Sequence, residues 1–421
     1  MYDDLDVFVR EDLPMRFNEF DLLKTHFSRI INLFEGRILP PYEILIHSSS
    51  VCNLNCEWCI GSFVANKKSS NKLLKNNLMN PNNMKKIVDG ILSYRKMGIN
   101  YWTGKEEEFK INNVSFSGIT GEPFIAKESI LYAINKLSEN GIRVGVFTNG
   151  VLIDKDMYDT VLKMGYILIS LDAGNPITYS KLKCLNGDTD VFEKVINTIK
   201  ELNIRKKELN SSTDINIGYV INHFNYREIY DIAQRLKKIG VHYLRFKTDI
   251  ASLMNMTEEE RDFAKSEINR SKKDLEDDNF KIVEIHNVLD DRKKTRNFKR
   301  CFVHYLIGNI SADGNVYPCN YHPKPNGYYY DSAITKDFGQ IWDNIPKSTI
   351  DKDIPNICPE VCDPFKNRAN KLLEVTYEIY RNKGIEYLKK CIEHTTSKME
   401  VKKETLNLNC TPKFGQFKKR S

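Results

Sequence analysis

The sequence predicts an α/β fold, a partial (β/α)6 TIM-like barrel followed by a small C-terminal unit, and three observations carry this. From Tyr42 to about Asp249, short apolar runs of β character alternate with longer runs of helical spacing, the pattern of βα units on a parallel sheet. Six such strand-like runs occur, which suggests a barrel that does not close. Beyond them, four cysteines surround a hairpin signature.

The strands are read at Tyr42–Ser48, Asn113–Gly118, Arg143–Thr148, Ile167–Asp172, Ile215–Asn222 and Tyr243–Thr248. Between them, apolar residues recur every three or four positions, as in Met84, Ile87, Ile91 and Tyr94, or Ile229, Ile232, Ala233, Leu236 and Ile239. Gly98, Gly141, Gly165 and Gly240 are read as the caps that end helices. The chain divides into a helical preface (1–40), the barrel (41–250), a helical connector (251–299) with a charged helix at Met256–Asp278, a cysteine-rich unit (300–368), and a C-terminal helix with a basic tail (369–421). The polar stretch Ser62–Asn80 reads as a lid or a solvated insertion, and the charged Asn100–Phe109 carries no assigned role.

A chain of 421 residues with 41% hydrophobic content can bury a large core in two or three units. It contains no apolar run of about 18 residues, and its acidic start lacks the form of a signal peptide, so a cytoplasmic protein without a membrane partner is expected. Ten cysteines in a reducing compartment argue for metal ligation over disulfides. The net charge of +7 comes from dispersed lysines and a final cluster at Lys413, Lys418, Lys419 and Arg420. Such charge attracts RNA or another anion, but scattered lysines read first as a solvated surface, and no nucleic-acid partner is expected.

Cys52-x3-Cys56-x2-Cys59, just after the first strand, places three thiolates where they can wrap one corner of an iron–sulfur or zinc centre. Zinc prefers four closed ligands, and no fourth cysteine lies nearby. The spacing resembles the radical S-adenosylmethionine (radical SAM) superfamily, and Trp58 matches the aromatic residue that usually precedes its third cysteine. The resemblance implies a catalytic 4Fe–4S cluster on Cys52, Cys56 and Cys59, with S-adenosylmethionine chelating the fourth iron.

Further motifs fall at strand ends, where barrel enzymes gather their chemistry. Thr120-Gly121-Glu122-Pro123 resembles the family's Gly-Gly-Glu-Pro element, with threonine for the first glycine. The resemblance makes Glu122 the acceptor for the methionyl amino group; taken alone, the run is an ordinary turn. Ser170-Leu171-Asp172 resembles a Ser-Leu-Asp strand of relatives, making Ser170 a candidate cofactor contact and Asp172 a candidate facing cofactor or substrate. A strand-end aspartate also caps helices. Asn222 and Arg245 or Lys247 are further candidates, and Asn149 is a strand-end or turn residue.

Cys301 and Cys319 flank a hairpin signature with Asp313-Gly314 at its turn, and Cys358-x3-Cys362 follows. This order resembles the Twitch domain, the short form of the SPASM extension, and implies one auxiliary 4Fe–4S cluster on these four cysteines. A zinc ribbon is the alternative for the same residues. Cys391 is a possible substitute ligand, and Cys410 reads as a free thiol. Cys184, after the fourth strand, is a candidate hydrogen-atom donor by resemblance to radical SAM epimerases, though buried cysteines are more often inert.

The resemblance therefore implies an enzyme that cleaves S-adenosylmethionine to a 5′-deoxyadenosyl radical and takes hydrogen from a C–H bond of a peptide or sugar-like (aminocyclitol) substrate, oxidising it. An external one-electron donor such as flavodoxin or ferredoxin is implied as a partner. The alternatives are a redox-neutral epimerase using Cys184, an RNA-modifying radical SAM enzyme, and a non-enzymatic iron–sulfur or zinc protein.

Overall fold

The computed structural model describes residues 2–10, 13, 18–56, 58–61, 78–117, 119, 121–249, 255–289, 296–321, 328–346, 358 and 362–405. Its strands are β1 (Glu43–Ile46), β2 (Arg95–Asn100), β3 (Lys105–Lys110), β4 (Asn113–Phe116), β5 (Arg143–Thr148), β6 (Tyr166–Ser170), β7 (Asp214–Ile221), β8 (Tyr243–Thr248), β9 (Lys281–Glu284), β10 (Ile307–Ile310) and β11 (Val316–Tyr317). Nine of them form one sheet in the order β11-β10-β1-β4-β5-β6-β7-β8-β9. All neighbours are parallel except β10 and β11. The six expected strands are its centre, in chain order.

Alternation along each strand separates two layers. Ile44, Ile46, Val114, Phe116, Val146, Ile167, Ile169, Ile215 and Ile217 are buried against the outer helices, among them Pro81–Ser93, Lys127–Glu139, Asp190–Glu208 and Ile229–Lys238. Apolar residues at every second position are expected where one face of a strand packs under helices and the other lines a polar interior. The inner layer is polar. The Ser115 hydroxyl donates to Glu43 Oε1 at 2.5 Å and lies 2.8 Å from the Tyr166 hydroxyl. Tyr166 reaches Ser115 across β5, which is possible because Gly145 has no side chain: a Cβ there would sit 2.1 Å from the tyrosine ring.

Four features differ from the sequence expectation. The sheet extends past the sixth strand through β9, inside the segment read as a helical connector, because Ile282 and Val283 pack beside β8. The charged Asn100–Phe109 stretch belongs to the β2–β3 hairpin, which is held by the Asn32 side chain: its amide donates to Ile99 O at 2.7 Å and its oxygen accepts from Ile99 N–H at 3.2 Å. Gly98 consequently lies inside a strand, whereas Gly141 and Gly240 have the positive φ of caps, 71° and 87°. Gly165 does not; a Cβ there would strike the Arg143 side chain at 2.6 Å, so its role is clearance.

The hairpin expected around Asp313-Gly314 is β10–β11, with Gly314 at φ 81°. It joins the barrel sheet itself through β10 on β1, from Glu43↔Ile307 to Ile46↔Ile310. The C-terminal helix Pro364–Thr405 is broken at Gly384 (φ 80°, ψ 172°) and packs on the preface helix Glu19–Thr25. Among the described residues, no helix is long and apolar enough to cross a membrane. The Ser62–Asn80 stretch lies outside the described residues up to position 77, as does the basic tail.

Candidate active site

The three-cysteine loop leaves the C-terminal end of β1 and is stitched to the loop after β4. Glu122 N–H donates to Val51 O at 2.8 Å, and Ser48 Oγ to Pro123 O at 3.2 Å. A Cβ on Gly121 would lie 2.5 Å from Val51 O and 2.6 Å from Ser49 O, so the close approach requires glycine. Cys52 is exposed, while Cys56 and Cys59 are half-buried. Burial pushes the Cys56 thiol up to about 12, against the pull of the nearby Lys183 ammonium. Leu54 N–H points at Cys52 Sγ at 3.4 Å, and Asn149 Nδ2 lies 3.9 Å from the same sulfur while donating to Asn53 Oδ1 at 2.8 Å. Three soft donors on one loop, with N–H groups turned to one of them, suit a cluster corner.

Glu122 is buried beside this loop. Its Oε1 accepts from the Thr148 hydroxyl at 2.6 Å and Phe124 N–H at 3.2 Å, and its Oε2 from Asn149 N–H at 2.8 Å. Burial raises its carboxyl above the usual range, and those three donors oppose the shift. The carboxylate is thus fixed in orientation by β5, and Asn149 connects it to the cysteine loop. Thr120 lies outside the described residues.

Asp172 lies two residues past the end of β6, not on the strand, with a left-handed φ of 61°. Its Oδ1 accepts from Val220 N–H at 2.8 Å, and its Oδ2 pairs with Lys183 Nζ at 2.5 Å, both side chains being about 2–3% exposed. Lys183 also donates to Ser170 O at 3.3 Å and stands 5.2 Å from the centre of the Trp58 ring. Burial alone would lower the Lys183 ammonium; the Asp172 carboxylate holds it above its ordinary value. Lys183 is the residue that sequence reasoning missed: a buried cation joining the cysteine loop to the end of β6. Cys184 follows it at the end of helix Pro176–Lys183, half-buried, with φ 55°.

Asn222 is folded onto its own turn, its oxygen accepting from Phe224 N–H at 2.9 Å and its amide donating to Val220 O at 3.3 Å. Arg245 and Lys247 share the inner face of β8. Lys247 is lowered to about 8 by burial and then by Arg245, with Asp363 and Asp172 pulling the other way.

The second cysteine set converges around Phe298, which packs with Cys301, Cys358 and Cys362. Burial is the first cause of the raised thiols of Cys301, about 11, and Cys358, about 12, and the neighbouring cysteines add to it, Cys319 included. Cys391 is elsewhere, 3.9 Å from Asp4 Oδ2 on the preface, and Cys410 lies outside the described residues. The charges just after Cys362 act on side chains of the barrel. Lys366 acts on Glu43 and His47 on and beyond β1, lowering both after burial has shifted Glu43 up and His47 down to about 3, while Asp363 acts on Lys247 of β8. Four convergent soft thiols suit a fully ligated iron–sulfur cluster.

Residues 46–236 match the model of the radical SAM superfamily. The chain is 23% identical over 197 residues to an S-adenosylmethionine-dependent nucleotide dehydratase of Fibrobacter sp. (strain UWH6), covering 46% of this chain and 51% of that one. It thus spans about half the length of that relative. It is 24% identical over 336 residues to a cysteine-type anaerobic sulfatase-maturating enzyme of Clostridium novyi (strain NT), covering 73% of this chain and 80% of that one. In fold it is similar to Streptococcus suis SuiB bound to precursor peptide SuiA, with a TM-score of 0.51 at 17% identity, over 78% of this chain and 70% of the other.

Proposed function

We propose that this chain, whose residues 46–236 match the model of the radical SAM superfamily, oxidises a C–H bond of a peptide, with the cysteine set of its C-terminal unit receiving the second electron. A 4Fe–4S cluster with bound S-adenosylmethionine supplies the one-electron cleavage that yields methionine and a 5′-deoxyadenosyl radical. The chain's own residues do the rest. Cys52, Cys56 and Cys59 hold the cluster. Glu122, oriented by Thr148 and Asn149, accepts from the methionyl ammonium, and Gly121 lets the backbone come close. Lys183, held by Asp172, supplies positive charge for the methionyl carboxylate, and Trp58 and Ser170 line the same pocket.

The observation that carries the oxidative reading is the position of the second cysteine set. The hairpin that Cys301 and Cys319 flank belongs to the barrel sheet, with β10 pairing with β1, the strand that leads into the first set. A substrate entering the barrel lies between the two sets. With all four ligands supplied by Cys301, Cys319, Cys358 and Cys362, no position is left for substrate, and electron acceptance becomes the available role. A peptide substrate is favoured by the sulfatase-maturating relative and by the peptide bound to SuiB. A flavodoxin- or ferredoxin-like protein would supply the first electron.

Cys184 favours a second reading, because it directly follows Lys183 in the chain, at the end of helix Pro176–Lys183. As a hydrogen-atom donor it would make the reaction a redox-neutral epimerisation. Turnover in deuterated water separates the two. Oxidation gives a product two hydrogens lighter, unaffected by Cys184→Ala; a product of unchanged hydrogen count carrying one solvent deuterium, lost in that variant, would overturn it.

A further inference from the structure

The C-terminal helix begins two residues after Cys362, and its first turns lie on the second cysteine set. Lys366 and Asn370 are four residues apart and share one face of it. Lys366 Nζ lies 3.6 Å from Cys319 Sγ, and Asn370 Nδ2 lies 3.4 Å from Cys301 Sγ. Both residues are buried, 8% and 1% exposed.

Their donors are aimed by the rest of the structure. The Asn370 oxygen accepts from Val303 N–H at 3.0 Å, which turns its amide nitrogen toward the sulfur. The Lys366 ammonium is steadied by Asn320 Oδ1, from the residue following Cys319. A buried ammonium needs a counter-charge, and thiolates on a cluster provide one.

We propose that Lys366 and Asn370 are positioning residues that raise the reduction potential of the auxiliary cluster, by donating N–H···S hydrogen bonds to Cys319 and Cys301. This rests on the reading of these four cysteines as the ligands of a 4Fe–4S cluster. One-electron reduction adds a negative charge shared by iron, sulfide and thiolate. A nearby cation and N–H donors stabilise that added charge more than the oxidised form, and burial keeps solvent from screening the difference. With a 4Fe–4S cluster held by Cys301, Cys319, Cys358 and Cys362, the substrate radical would lose one electron to it and one proton to solvent, and a one-electron carrier protein would take that electron on. The two side chains act on the first of these transfers.

The test is a redox titration, followed by electron paramagnetic resonance, of the full chain carrying Cys52→Ala, Cys56→Ala and Cys59→Ala, so that only the second cluster is read. Lys366→Met and Asn370→Leu should each lower its potential. The expected effect is a tenfold or larger change in the reduced-to-oxidised ratio, about 59 mV for a one-electron couple. Lys366→Arg, which keeps charge and donors, should stay close to the parent. If Lys366→Met loses its iron, Lys366→Gln gives the reading: a lowered potential sustains the proposal. Unchanged potentials in iron-loaded Lys366→Gln and Asn370→Leu would overturn it. A parent with zinc in place of about four irons would overturn the cluster reading along with it.

Discussion

Replacing Asp172 by asparagine removes the counter-charge of a lysine that has no access to water. Nζ and Oδ2 are 2.5 Å apart and the side chains are 3% and 2% exposed. At an effective dielectric near 20, unit charges at that distance attract by about 7 kcal/mol. Desolvation costs several kcal/mol for each ion, so the intact pair contributes little net stability, while a lone survivor costs about 3–5 kcal/mol. The single variants are not equivalent. Lys183→Met leaves a buried carboxylate whose Oδ1 still accepts from Val220 N–H, whereas Asp172→Asn leaves an ammonium facing Ser170 O and the rings of Trp58 and Tyr179, with no carboxylate in contact. Each single variant should lose roughly 3 kcal/mol or more in anaerobic urea unfolding followed by near-ultraviolet circular dichroism. The double variant should lose at least about 2 kcal/mol less than the sum. Additive losses below about 1 kcal/mol each, the range of exposed ion pairs, would refute the reasoning.

Two further outcomes are expected. Gly121→Ala forces a Cβ against Val51 O and Ser49 O, at 2.5 and 2.6 Å in the present geometry; it should cost about 1–3 kcal/mol and loosen the cysteine loop, seen as iron lost from the first site alone. His26 stacks on Tyr42 at 4.0 Å and is pushed from 6.5 to about 3 by burial and then by Arg29. Because the folded value is the lower one, the unfolded state binds the proton better. This contribution is therefore complete above about pH 6.5 and lost as pH falls toward 3, at about 1.4 kcal/mol per unit. His26→Phe, which keeps the stack, should flatten the denaturation midpoint between pH 6.5 and 5, and an unchanged slope would contradict the assignment.

The central strands were legible because the face that packs under the helices demands apolar residues in short β-type runs between helical ones, and β5 and β8 run from Arg143 to Thr148 and from Tyr243 to Thr248 as expected. Strand β9 escaped because Lys281-Ile282-Val283-Glu284 offers two apolar residues after a charged helix. The β2–β3 hairpin escaped because Lys105–Glu108 is exposed, and its fixing partner, Asn32, is distant in sequence. At the site, cysteine spacing and Gly-Glu-Pro are local patterns and could be read directly. Lys183 and Lys366 could not. Each sits in a run that reads as solvated surface, and only the tertiary fold turns its ammonium inward, toward Asp172 in one case and Cys319 in the other. The left-handed turn at Asp172 is likewise invisible in a Ser-Leu-Asp triplet.

The most direct measurement is iron and sulfide content after anaerobic reconstitution, paired with an assay for 5′-deoxyadenosine in the presence of a reductant and S-adenosylmethionine. Two cubane clusters held by the seven cysteines predict about eight irons per chain, with 5′-deoxyadenosine formed. Replacing Cys52, Cys56 and Cys59 together by alanine should leave about four irons and no 5′-deoxyadenosine. Cleavage that survives this replacement, or a wild-type chain holding about four irons and one zinc, would contradict the account.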